Sequence, residues 1–196
     1  HTNSVYLPDA TLPARLNATH DISEAVGSAD VVIMGIPSHN FRSVLEKVKE
    51  HIRAWVPVIT LTKGLELESG MRMTQVINEV LPGHPAGVLT GPNLAREIMA
   101  GQAAASVIAM QDPIIVRELQ SLFNSGLFRV YTNNDVIGCE LGGVLKNVIA
   151  IAVGMGDGQG AGDNTRSALI TRGLAEVTRL GVAMGGKAET FAGLAG

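Results

Sequence analysis

Ala29-Asp30-Val31-Val32-Ile33-Met34-Gly35-Ile36-Pro37-Ser38-His39-Asn40-Phe41 is the stretch that decides the fold. Its centre, Val31–Ile36, is a short β-branched run, apolar throughout, that stops at a proline. A strand apolar on both sides is one covered on both faces, as in a parallel sheet flanked by helices. Helix-period sequence follows over Phe41–Ala54, and a second apolar run, Val58–Thr62, repeats the first. Further runs stand at Gly87–Thr90 and Ser106–Ala109, with helical segments expected at Met71–Leu81, Ala95–Gly101 and Pro113–Asn124. Strand, helix, strand at this spacing is the rhythm of an open, doubly wound α/β sheet. The last run, Phe128–Thr132, alternates more and follows Gly126, so it reads as an antiparallel addition.

Outward from this core the character changes. The first residues, through Ala18, are polar and punctuated by Pro8 and Pro13, which predicts a surface loop. Beyond Asn134 the pattern becomes helical: Ile137–Leu180 reads as two helices interrupted by a loop over Gly154–Gly162. The expected division is 1–133 for the sheet and 134–196 for the start of an all-helical domain. The chain does not open with Met and closes on Gly193-Leu194-Ala195-Gly196, so both ends read as cut.

Composition narrows the function. Of 196 residues, 46% are apolar and 17% charged, with a net charge of -3. That leaves no basic footprint for nucleic acid. A lone cysteine, Cys139, forms no internal disulfide and fits a reducing, cytoplasmic setting. The N-terminus lacks a signal-peptide pattern. The longest apolar stretch, Leu141–Gly156, is interrupted by Lys146 and Asn147 and is short for a membrane span. His39 and His84 read as isolated loop histidines without metal-ligand spacing, so no metal is assigned.

In open α/β sheets, ligands bind beyond the carboxyl ends of the strands. Three successive strand ends carry Pro37-Ser38-His39-Asn40-Phe41, Thr62-Lys63-Gly64 and Gly91-Pro92-Asn93. Parallel strands would bring all three to one rim, with Lys63 as a point charge for a phosphate or carboxylate. Lys146 is the sharper signal. A helix this apolar is expected to be buried nearly all round, and an ammonium there is heavily desolvated. Such burial makes a lysine a proton donor or acceptor near neutral pH. The glycine-rich stretch Gly154–Gly162 does not match dinucleotide spacing and follows no strand. Its glycines are expected to permit close helix approach or a hinge, with Asp163 or Asn164 capping the next helix. Arg166 and Arg172 read as a solvated helix face.

Several phrases together resemble a known family. Leu61-Thr62-Lys63-Gly64-Leu65-Glu66, Gly91-Pro92-Asn93-Leu94-Ala95-Arg96-Glu97, Phe128-Arg129-Val130-Tyr131, Glu140–Ala150 and Ala168–Glu176 are similar to the bacterial NAD(P)-dependent glycerol-3-phosphate dehydrogenases, as are Asn3, Tyr6-Leu7-Pro8 and the closing phrase. The resemblance runs the length of the chain. It implies a Rossmann-type sheet lacking its N-terminal part, followed by the start of a helical domain, and NAD or NADP as cofactor. It also implies hydride transfer between sn-glycerol 3-phosphate and dihydroxyacetone phosphate, supplying phospholipid synthesis. By the same resemblance Lys146 is the catalytic acid and base, and Lys63 meets substrate and nucleotide. Gly91, Asn93 and Asn147 belong to the substrate site, and Ala95 and Phe41 lie toward the cofactor. Asn93 departs from the Ser or Thr of many relatives. The glycine fingerprint, the residue selecting NAD or NADP, an aspartate partner of the lysine and a Ser-Arg-Asn phosphate-binding phrase are missing, so this piece alone is expected to be inactive. The expected partners are a small phosphorylated substrate and a second copy in a homodimer. The alternatives are another β-hydroxyacid-type dehydrogenase, of the 6-phosphogluconate or hydroxyisobutyrate kind, or a non-catalytic nucleotide-binding module.

Overall fold

The computed structural model describes residues 2–3 and 5–195. In place of the expected opening loop, β1 (Thr2–Asn3) and β2 (Leu7–Thr11) pair antiparallel as a small separate hairpin. The main unit then alternates: α1 (Ile22–Val26), β3 (Val32–Met34), α2 (Ser38–Lys49), β4 (Val58–Thr60), α3 (Met73–Val80), β5 (Ala86–Thr90), α4 (Ala95–Met99), β6 (Ala104–Met110), α5 (Pro113–Phe123) and β7 (Phe128–Asn133). Three helices complete the chain: α6 (Val136–Gly158), α7 (Asp163–Ala183) and α8 (Ala188–Phe191).

The five strands β3 to β7 form one sheet in sequence order. β3, β4 and β5 are parallel, β6 runs against β5, and β7 is parallel to β6. The doubly wound sheet is therefore present, and the reversal comes one strand earlier than the alternation of Phe128–Thr132 suggested. Its cause is the connection: the chain from Gly91 to Ala103 holds only the short α4 and returns on the same end of the sheet, whereas a parallel partner needs a crossover to the other end.

Alternate residues of a strand point to opposite faces, and the core divides accordingly. Val58 joins Phe41, Leu45, Met73, Val76 and Ile77 beneath α2 and α3. Its neighbour Ile59 joins Leu89, Ile108, Val130, Val116 and Leu119 beneath α5. Val88, Val107 and Ala109 meet Val136 and Cys139 of α6. Each large side chain so enclosed contributes about 1.5–3 kcal/mol. One edge departs from the sequence expectation: Ile33 of β3 is 47% exposed, because no helix among the described residues lies over it.

α6 departs further. Val136–Gly143 is mostly buried against the sheet, but Val148, Ile151 and Met155 are exposed, so the helix is not enclosed all round. It also runs unbroken through Gly154–Gly158, which places half of the expected loop inside it. At 23 residues it is long and apolar enough to cross a membrane by composition, contrary to the shorter stretch read from sequence. Its opening turns, packed on β5 and β6, make it a core helix of the sheet. Of the loop glycines, Gly156 does bring helices together: a Cβ there would lie 3.3 Å from Leu169 Cδ1 of α7. A Cβ at Gly154, Gly158, Gly160 or Gly162 would meet nothing, while one at Gly173 or Gly181 of α7 would strike Ile149 or Phe191. α7 begins at Asp163 behind Gly162, which makes no side-chain cap.

Candidate active site

The parallel strands deliver their three following loops to one place. Thr62 Oγ1 donates to the Ile36 carbonyl at 2.5 Å, tying the loop after β4 to the loop after β3. Gly64 passes so close to Ser38 that an added Cβ would come within 2.8 Å of its hydroxyl. Lys63 Nζ donates to the Gly91 carbonyl at 3.4 Å, closing the set with the loop after β5. Gly91 has φ 144°. A Cβ there would press to 3.0 Å on the backbone of Ala105 and Ser106, which fits the position to glycine. Asn93 Nδ2 donates to the Ser106 hydroxyl at 3.2 Å, so β6, entering where β5 leaves, adds a fourth wall.

α6 crosses this rim. A Cβ at Gly143 would lie 3.3 Å from Thr90 Oγ1 and 3.4 Å from Lys63 Cγ, so glycine lets the helix ride directly on the lysine's stem. One turn on, half-buried Lys146 reaches a cavity of about 220 Å³ lined also by Thr90, Gly91, Pro92, Gly193, Leu194 and Ala195. Lys63, bonded to the Gly91 carbonyl, and Lys146 thus converge on Gly91. Burial, and then the Lys146 charge, hold the Lys63 ammonium below the usual lysine range. Among the described residues neither lysine has a salt bridge. One cation lining the cavity and a second bonded to its Gly91 wall suit an anionic, carbonyl-bearing ligand.

The remaining expected residues lie farther from this pair. Asn147, beside Lys146, is exposed, and Ala95 is an exposed residue opening α4. Phe41 is wholly enclosed in the core beneath α2, so its ring offers no free surface. His39 is the second residue of α2 and not a loop residue; His84 Nδ1 is paired with the Val56 carbonyl at 2.9 Å. Arg166 pairs with Asp157 and Asp163, and Arg172 with Glu176, as a solvated face would. Of the closing phrase, Gly196 lies outside the described residues.

Sequence reasoning missed the side chains that brace the rim. Arg42 grips Glu66 at 2.7 and 2.9 Å. With the Ser69 hydroxyl it holds that carboxyl at about 2. Buried Glu140 accepts from Arg72, from the Thr74 amide at 2.8 Å and from the Thr74 hydroxyl at 2.5 Å. Asp135 caps α6 through Gly138 N–H at 2.9 Å and accepts from Lys187 N–H and the Thr190 hydroxyl at 2.8 and 2.7 Å. Glu140 was discoverable: it is a carboxylate in the same apolar helix, six residues before Lys146.

Sheet, rim and crossing helix define a Rossmann-type α/β domain leading into a helical segment. Residues 1–115 match the family model of the NAD-dependent glycerol-3-phosphate dehydrogenase N-terminus, and residues 135–196 match that of the C-terminus. The chain belongs to the NAD-dependent glycerol-3-phosphate dehydrogenase family. A relative from Sphingopyxis alaskensis, glycerol-3-phosphate dehydrogenase [NAD(P)+] 2, is 74% identical over all of this chain and 59% of its own length. One from Mycobacterium tuberculosis is 57% identical over the whole chain and 58% of its length. The crystal structure of glycerol-3-phosphate dehydrogenase from Coxiella burnetii superposes with a TM-score of 0.94 at 38% identity, over 99% of this chain and 59% of that one. The chain thus spans about three fifths of the length of the relatives it matches.

Proposed function

We propose that the complete protein is an NAD(P)-dependent oxidoreductase interconverting sn-glycerol 3-phosphate and dihydroxyacetone phosphate in the cytoplasm, as a homodimer supplying phospholipid synthesis. The observation that carries this reading is the pair of lysines, Lys63 and Lys146, converging on Gly91 at the strand-end rim. The names of the relatives support the same reaction. In this reading residues 1–133 hold the nucleotide and residues 134–196 begin the catalytic domain.

The rim suits one end of a nicotinamide nucleotide: a cation at Lys63 and the exposed residues Pro92, Leu94 and Ala95 where α4 begins. The cofactor, when bound, supplies or accepts the hydride. The chain's own residues do the rest. Lys146 stabilises the charge growing on the C2 oxygen during reduction, donates the proton to it, and takes that proton back in the reverse direction. Lys63, with Gly91 and Asn93, holds the substrate and fixes C2 in reach of Lys146. Asn147 adds an amide to the substrate side. Phe41 supports the cofactor side through the packing of α2.

The test follows absorbance of the reduced nicotinamide with dihydroxyacetone phosphate and with a panel of hydroxy acids. Lys146→Ala is expected to lower kcat roughly 10²- to 10⁴-fold while the dissociation constant for NAD(P)H stays put. Turnover of a hydroxy acid with none of dihydroxyacetone phosphate, or an unchanged kcat in the variant, would reject the reading.

A further inference from the structure

The two lysines sit on different parts of the chain, and like charges do not hold themselves together. Lys63 belongs to the loop between β4 and α3; Lys146 belongs to α6. That loop is folded back on itself: Leu65 pairs with Arg72 as an antiparallel bridge, and Glu66 N–H donates to the Met71 carbonyl at 2.9 Å. Arg72 is therefore tied by its backbone to the residue two beyond Lys63. Its guanidinium grips Glu140, six residues before Lys146. The Glu140 carboxylate also meets the Thr74 amide and hydroxyl, so it sits at the N-terminus of α3, where a negative charge is favoured. Glu140 is 6% exposed and has every contact satisfied from α3 and its cap. α2, α3 and the first turns of α6 lie on the same face of the sheet, and within it this carboxylate bridges α6 to the lysine loop.

We propose that the Arg72–Glu140 pair is a positioning device, fastening the Lys63 loop to α6 and so setting the spacing between Lys63 and Lys146. The proposal rests on the dehydrogenase reading above. A buried ion pair is seldom a net source of stability, since apolar replacement of both partners is often neutral or better, and its better-attested use is to fix register. Here the register is that of a helix against a loop. Neither Arg72 nor Glu140 faces the substrate cavity, so their effect on turnover passes through the lysines.

The decisive variant is the double substitution Arg72→Met with Glu140→Met in the complete protein, which removes both charges and keeps chain length. The expected result is a folded protein with an unshifted melting temperature, an unchanged NAD(P)H dissociation constant, and kcat on dihydroxyacetone phosphate lower by about tenfold or more, as misplacement near 1 Å produces. A folded double variant whose kcat stays within about twofold of wild type would overturn the proposal, because a purely structural pair leaves turnover alone once the fold is kept. If the double variant does not fold, Arg72→Lys decides: it keeps the charge and loses the planar fork. A fall in its kcat with the melting temperature kept supports the clamp, and an unchanged kcat overturns it. Wild-type protein without turnover would remove the dehydrogenase reading and the proposal together, whereas turnover in wild type and double variant alike removes the clamp alone.

Discussion

At the scale of single residues, chemistry here is decided by neighbours. Cys139 is wholly buried in α6, and burial, with Asp135 and Glu140 nearby, pushes its thiol up to about 12. Only the thiolate is reactive, so the native chain is expected to leave a disulfide reagent unconsumed at mildly alkaline pH and to react fully in denaturant; fast labelling of the folded chain would contradict this. Lys63 is the opposite case, an ammonium held below its ordinary range by burial and by Lys146. Its protonated form is present below the folded-state value and lost as pH rises through it, so phosphate-end affinity should fail at a lower pH than a free lysine would. The unfolded chain binds that proton more tightly, so stability rises with pH between the folded and unfolded values. Lys63→Met is expected to flatten that rise in pH-dependent melts and to raise the substrate KM roughly 10- to 100-fold. Lys146 was legible because a charge in an apolar run has few innocent explanations. Glu140 obeys the same logic, yet only its partners, distant in sequence, show what it does.

At the scale of elements, α6 and α7 join through absence of side chains. Gly181 of α7 lies under the ring of fully buried Phe191 of α8, and Gly173 lies against Ile149 of α6. Gly181→Ala therefore has nowhere to place its methyl group without moving a packed ring. Its expected cost is about 1–3 kcal/mol, read as a lowered urea midpoint with an unchanged slope; an unaltered midpoint would show that the ring gives way freely. Periodicity found both helices, and glycine density pointed to the stretch where Gly156 does lie against Leu169, but not to Gly173 or Gly181, because what stands opposite each glycine is not visible in a sequence. The opening hairpin was hidden by Pro8 and Pro13, which interrupt strands and loops alike.

At the scale of the whole molecule, apolar surface is unevenly covered. Val148, Ile151 and Met155 of α6 and Ile170, Leu174 and Leu180 of α7 are exposed. Exposed apolar side chains repeated along two neighbouring helices favour dye binding and association. The chain of 196 residues is expected to enhance anilinonaphthalene sulfonate fluorescence and to sediment as concentration-dependent oligomers; a monodisperse, dye-silent monomer would show the strip to be smaller than its residues suggest. The order of strands and helices was readable from the alternation of apolar runs. Strand direction at Ala104–Met110 was not, since a largely apolar run looks the same whichever way it points. The turnabout at β6 has a consequence for how such a site changes over time. Everything between Gly91 and Ala103 leaves and rejoins the sheet at the same end, so it forms a bracket fixed at both feet. Insertions, deletions or a rebuilt α4 can remodel what the cavity mouth admits while every rung of the ladder below keeps its partner.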